Sequence, residues 1–141
     1  MNKLKLSIKN SFRTEMIAAG LYAVLAHQYG KKNPEIGKRF SKASEEEHMH
    51  GKLFRQYYRN KFNEDAGNEQ IWIAAGKIAG VIMKLIPLKK KLKNLSIKES
   101  DAVKKIEYLI SGNSDPSFIK ILKRILPDEV SHAAIYGEVF K

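Results

Sequence analysis

The chain has 141 residues, 26 lysines and arginines against 15 aspartates and glutamates, and no cysteine. Its length corresponds to one domain, expected over residues 1–141, that buries roughly two thirds of its unfolded surface. Without cysteine there is no disulfide, thiolate zinc site, iron–sulfur cluster or cysteine nucleophile, so a metal would be held by carboxylate and imidazole, which favours iron, manganese or zinc.

In chain order, the opening "MNKLKLSIKN" lacks the apolar run and small-residue cleavage site of a signal peptide, and no stretch of 18 residues is free of charge. A cytoplasmic address with no membrane span is therefore expected. Turn signals are few: "GKKNP" at 30–34, "NEDAGN" at 63–68, "IPL" near 87 and "SGNSDPS" at 111–117. They divide the chain into helices over about 5–29, 34–62, 69–94 (one helix or a pair, bent at Pro87), 95–111 and 116–140. Two tight helical hairpins joined by a long crossover, about 63–95, describe an all-α four-helix bundle.

The second helix contains "SEEEHMHGKLF", residues 44–54, where Glu45/His48 and Glu47/His50 are competing pairs at helical spacing. Stepping by three and four gives Phe40, Ala43, Glu47, His50 and Phe54, an apolar stripe interrupted by one glutamate and one histidine. The Glu45/His48 pair shares its face with Lys38, Ser41, Lys52 and Arg55, so Glu47 and His50 are predicted to point inward. The same stepping gives Ile8, Phe12, Glu15, Ala19, Tyr22 and Ala26 on the first helix. It gives Leu95, Glu99, Ala102, Ile106 and Leu109 on the third, and Leu122, Ile125, Glu129, His132, Tyr136 and Val139 on the fourth. Random placement of 11 glutamates and 4 histidines in 141 positions yields about 0.3 Glu-x-x-His pairs, and this chain has three.

Height supports the selection, because residues equidistant from a turn lie level when each residue rises about 1.5 Å. Glu15 and Glu47 are centred on residue 31, and Glu99 and Glu129 on residue 114, so the four glutamates are predicted to share one layer. Glu107 is the alternative to Glu99, nearer its turn and on a face with Ser100. Four inward carboxylates would repel one another and require cations. Two divalent ions would balance them, with two neutral imidazoles completing the shells, as in di-iron or di-manganese carboxylate bundles.

Glu15, Glu47-x-x-His50, Glu99 and Glu129-x-x-His132 resemble the ligand set of the ferritin-like di-iron carboxylate superfamily over nearly the whole chain. The pattern is most similar to the demethoxyubiquinone hydroxylases, with the rubrerythrins second. "W-x-x-A-G-x-x-x-G", as Trp72, Ala75, Gly76 and Gly80, resembles the glycine-bearing membrane-associating segment of the hydroxylases, and "EHMHGKLF" at 47–54 resembles their Glu-x-x-His-x-x-x-Phe. The sequence departs from them at Lys105-Ile106, where they carry His-Tyr, and in ending nine residues after His132. The resemblance implies a ferritin-like bundle with two iron ions, or manganese or mixed metal. Glu15 and Glu99 would be terminal ligands, Glu47 and Glu129 bridging, and His50 and His132 one nitrogen each, with Tyr22 and Tyr136 nearby. Pro127, two residues before Glu129, predicts a kink.

The implied function is an O2-dependent, monooxygenase-like oxidoreductase acting on a quinone-like substrate at a membrane surface. The alternatives are a ferroxidase or iron-handling protein, and a rubrerythrin-like peroxide reductase supplied by an external electron donor. From Gln70 to Lys98 there is no acidic residue and there are seven lysines. Ile71, Ala74, Ala75, Ile78, Val81, Ile82 and Leu85 recur at helical spacing beside Lys77, Lys84 and Lys91, a basic amphipathic pattern suited to an anionic membrane. The expected partners are thus O2 or peroxide, a small lipophilic organic substrate, an electron donor, an anionic membrane surface through residues 71–98, and a second copy in a homodimer. No nucleic acid is expected, for want of an aromatic platform or helix-turn-helix signal. The expected location is the cytoplasm, peripheral on the inner face of the membrane.

Overall fold

A computed structural model describes residues 2–112 and 115–141. Among them there is no strand; the elements are α1 (Lys3–Gly30), α2 (Pro34–Phe62), α3 (Glu69–Ile82), a 3-10 turn (Met83–Leu85), α4 (Leu88–Gly112), α5 (Pro116–Ala133) and α6 (Ile135–Val139). The centre of the "SGNSDPS" turn, residues 113 and 114, lies outside the described residues. The chain divides into two compact units, Met1–Ile82 and Met83–Lys141.

The first unit is the α1/α2 hairpin with α3 laid along α1. Its turn is written in "KKNP": the Asn33 side chain accepts from the backbone N–H groups of Glu35 and Ile36 at 3.1 and 3.2 Å, and Pro34 occupies the first helical turn. α2 ends where Asn63 adopts a left-handed conformation, φ 53°. The core is aromatic and aliphatic: Ile8, Phe12, Met16, Tyr22, Phe40, Phe54 and Tyr58 are all buried. α1 and α3 approach through glycine. A β-carbon on Gly76 would strike the Ile17 carbonyl, and one on Gly20 would strike the Ile73 carbonyl.

That close approach decides which side of α3 faces in. Gly76 and Gly80 are buried, whereas Ile71, Ile78, Val81 and Ile82 are 60–73 % exposed. The apolar stripe seen in the sequence is the outward one. The seven-residue lysine repeat, however, does not continue along it. α3 gives way to a 3-10 turn before Pro87, and the helix restarts at Leu88 with a new register, so Lys77 and Lys84 are exposed while Lys91 is buried.

The second unit is the α4/α5 hairpin with α6, around Leu92, Ile106, Phe118, Leu122, Ile125 and Ile135. Two boundaries differ from expectation. The third bundle helix begins at Leu88 instead of near 95, because nothing between Pro87 and Gly112 interrupts a helix. The last helix contains Pro127 and ends at Ala133, short of residue 140, so the inward position after His132 falls on Ile135, with Tyr136 half-buried.

A polar clamp fastens the α2–α3 connection. Arg55 donates twice to Asp65 at 2.9 Å, Arg59 donates once at 3.1 Å, and the Gly67 backbone N–H donates at 3.1 Å. The Arg55 hydrogen bonds, followed by that of Gly67, hold the Asp65 carboxyl well below the usual carboxylate range. A lowered folded-state pKa means stability that is present above the unfolded value and is lost as pH falls through the folded one. Asp65→Asn should therefore lower stability at pH 7 by about 1 kcal/mol, a figure discounted for solvent screening of a partly exposed pair. Urea titrations at a series of pH values should show the gap between wild type and variant narrowing as pH falls below about 4.

Candidate metal centre

The inner face of α2 follows the three-four step without exception: Phe40, Ala43, Glu47, His50 and Phe54 are all buried. Glu47 and His50 are held there because the flanking aromatic rings anchor the same stripe in the hairpin core. Glu15 stands opposite them on α1 with 16 % of its side chain exposed. His50 Nδ1 lies 3.6 Å from Glu15 Oε2 and 3.5 Å from Glu47 Oε2, and the three residues offer ligand atoms all within 4.8 Å of one another.

The second unit presents the same donor set. Glu99 on α4 and Glu129 and His132 on α5 are buried, and their ligand atoms also lie within 4.8 Å of one another. His132 Nδ1 is 4.0 Å from Glu129 Oε2.

These spacings suit a shared cation. Direct nitrogen–oxygen hydrogen bonds fall near 2.7–3.2 Å. Two donors bonded at about 2.1 Å to one ion are separated by roughly 3.0–3.6 Å for angles between 90° and 120°. The first unit's pairs sit at the top of that range and the second unit's slightly beyond it. Each triad is two carboxylates and one imidazole, a donor set for iron, manganese or zinc, so the residues fit such an ion.

The remaining candidates lie elsewhere. Glu45 is exposed, and His48 is directed to the start of α3, its Nε2 3.3 Å from Glu69 Oε1. Glu107 is exposed on α4, unlike Glu99. Tyr22 is buried with its ring stacked on Phe40 at 6.2 Å, and Tyr136, beyond the helix break, is tilted against Phe140 at 5.5 Å. Two residues escaped the sequence reading. Ser44 Oγ donates to the Ala19 carbonyl across the first hairpin at 2.7 Å, and Ser96 Oγ donates to the Ala133 carbonyl across the second at 2.8 Å. Their signal was a serine three residues before a candidate glutamate in each hairpin.

The rubrerythrin family model matches residues 7–139, a span that contains all six donors. The chain belongs to the rubrerythrin family. Its fold is accordingly the all-α ferritin-like bundle, and of the two groups that the sequence resembles, the match falls on the rubrerythrins. No curated protein and no solved structure matches this rubrerythrin-family chain.

If these carboxylates are arranged for cations, neutralising one should help the metal-free protein and harm the metal-bound one. Glu47→Gln should raise metal-free stability by about 1–2 kcal/mol through relief of carboxylate repulsion. It should also abolish most of the stabilisation that added divalent metal gives the wild type. Thermal melts with chelator and with metal measure both effects.

Proposed function

We propose that this rubrerythrin-family chain is a di-iron carboxylate oxidoreductase in which the two triads together hold two ions. The observation that carries the reading is the identical donor set, one glutamate plus Glu-x-x-His, on the inner face of each helical hairpin. Glu15 and Glu99 would each serve one ion, Glu47 and Glu129 would bridge, and His50 and His132 would each give one ring nitrogen. Four carboxylates balance two divalent charges, so the imidazoles are needed neutral, as donors of lone pairs instead of protons. Bound iron would supply the reduction of O2 or peroxide with electrons from an external donor. The chain's own part is to exclude water with the rings of Phe12, Phe40 and Phe54 and to keep the six donors fixed.

Two finer readings have separate support. The rubrerythrin match favours peroxide reduction. The outward apolar side of α3, flanked by Lys77 and Lys84 in a segment without acidic residues, favours a hydroxylase-like reaction on a lipophilic, quinone-like substrate at the inner face of a membrane. Among the described residues no helix is long and apolar enough to cross a membrane, so attachment would be peripheral. Iron handling has less support, since a net charge of +11 repels incoming Fe2+.

Metal analysis should find two iron ions per chain, with at least one lost in Glu47→Ala or Glu129→Ala and none in Glu45→Ala. Anaerobic reduction followed by O2 and a quinone-like substrate should give a hydroxylated product. Oxidation by peroxide with no organic product would favour the rubrerythrin-type reaction. Retention of both ions by Glu47→Ala with loss from Glu45→Ala would sink the assignment.

The membrane arm has its own measurement. Binding to anionic vesicles should weaken with salt, and it should weaken by about 1 kcal/mol for each of Lys77 and Lys84 neutralised. Equal binding to zwitterionic vesicles, or tighter binding to nucleic acid, would remove the membrane surface from the account.

A further inference from the structure

Ser44 and Ser96 occupy equivalent places in two hairpins that share no obvious sequence repeat. Ser44 lies three residues before Glu47, and the carbonyl it reaches, that of Ala19, lies four residues after Glu15. Ser96 lies three residues before Glu99, and its acceptor, Ala133, lies four residues after Glu129. The chemical polarity is reversed between them: the serine is on the Glu-x-x-His helix in the first hairpin and on the single-glutamate helix in the second. What is common to both is the geometry, a hydroxyl one turn before one ligand glutamate held to the backbone one turn beyond the other.

A serine within a helix ordinarily bonds to its own helix, at the carbonyl four residues back, or faces solvent. Here both hydroxyls cross to the neighbouring helix, at 2.7 and 2.8 Å, and both are part-buried. A side chain with a single rotatable bond to its oxygen can reach an opposing carbonyl only at one axial offset between two helices. Sliding one helix by one residue, about 1.5 Å, breaks the bond. The same slide would move the paired glutamates out of level and spoil a coordination sphere that tolerates only a few tenths of an ångström.

We infer that Ser44 and Ser96 are positioning residues of the metal centre, each locking the axial register of its hairpin so that the facing carboxylates meet at one ion. The inference rests on the metal reading proposed above and deepens it, because neither serine is itself a ligand.

Cobalt(II) binding to the full-length chain tests it, followed by competition titration and by the visible absorption bands that report coordination geometry. Ser44→Ala and Ser96→Ala should each weaken cobalt binding about tenfold or more, the scale of an outer-shell loss. They should also shift the bands. Ser44→Thr keeps the hydroxyl and should stay within about threefold of wild type by the same scale. Ile8→Val, a core truncation two turns from Glu15, controls for general loss of stability and should leave both affinity and bands unchanged. Wild-type affinity in Ser44→Ala and Ser96→Ala, equal weakening by Ile8→Val, or a threonine variant no better than alanine would overturn the register lock. A wild-type chain that takes up no cobalt overturns the metal reading and this inference with it.

Discussion

Carboxylates on the inner face of a helical hairpin repel one another and lose their hydration, at a cost of several kcal/mol per uncompensated charge. This chain nonetheless places Glu47, Glu99 and Glu129 inside, each less than a tenth exposed, with Glu15 only slightly more open. Hydrophobic burial alone would select against such an arrangement. Its recurrence in two hairpins, each with one histidine at the same spacing from its glutamate, sets a charge constraint that the proposed cations would relieve. The imidazole–carboxylate separations of 3.5–4.0 Å match donors spaced around an ion better than donors bonded to each other.

Much of the surrounding architecture serves that constraint. Long helices with capped ends present the donors from rigid scaffolding, and Asn33 and Asp115 both start their helices by accepting backbone N–H groups ahead of a proline. The hydroxyl bonds of Ser44 and Ser96 act at the level of the donors. The glycine seam between α1 and α3 has a different consequence. By drawing α3 against α1 on its smallest side chains, it leaves Ile71, Ile78, Val81 and Ile82 facing away from the core. Exposed side chains of this kind on a strongly basic chain are the basis of the membrane-surface reading proposed above.

The inward frame of α2 was legible because the choice between Glu45/His48 and Glu47/His50 reduces to periodicity, and the neighbours Phe40, Ala43 and Phe54 leave only one apolar stripe. The Asn33–Pro34 start was equally plain from local chemistry. Other features depend on contacts that periodicity does not encode. α3 has two faces that could be buried, one of isoleucine and one of glycine, and only the close approach of Ile17 and Ile73 carbonyls selects the glycine face. Lys91 reads as surface until the register resets after Pro87. The break at Ala134 carries no glycine or proline, so the three-four step points to Tyr136 for the inward place that Ile135 takes. The serine bonds join positions 25 and 37 residues apart, and their meaning emerges only when each is referred to the glutamate three residues on.

Locating the metal tests the proposed di-iron site most directly. Diffraction from iron-loaded crystals, collected on either side of the iron absorption edge, should give two anomalous peaks per chain, each within bonding distance, about 2.0–2.2 Å, of carboxylate oxygens and one histidine nitrogen from the set Glu15, Glu47, His50, Glu99, Glu129 and His132. No peak at those residues, or a peak on the outer face of α2 beside His48 and Glu69, would contradict it.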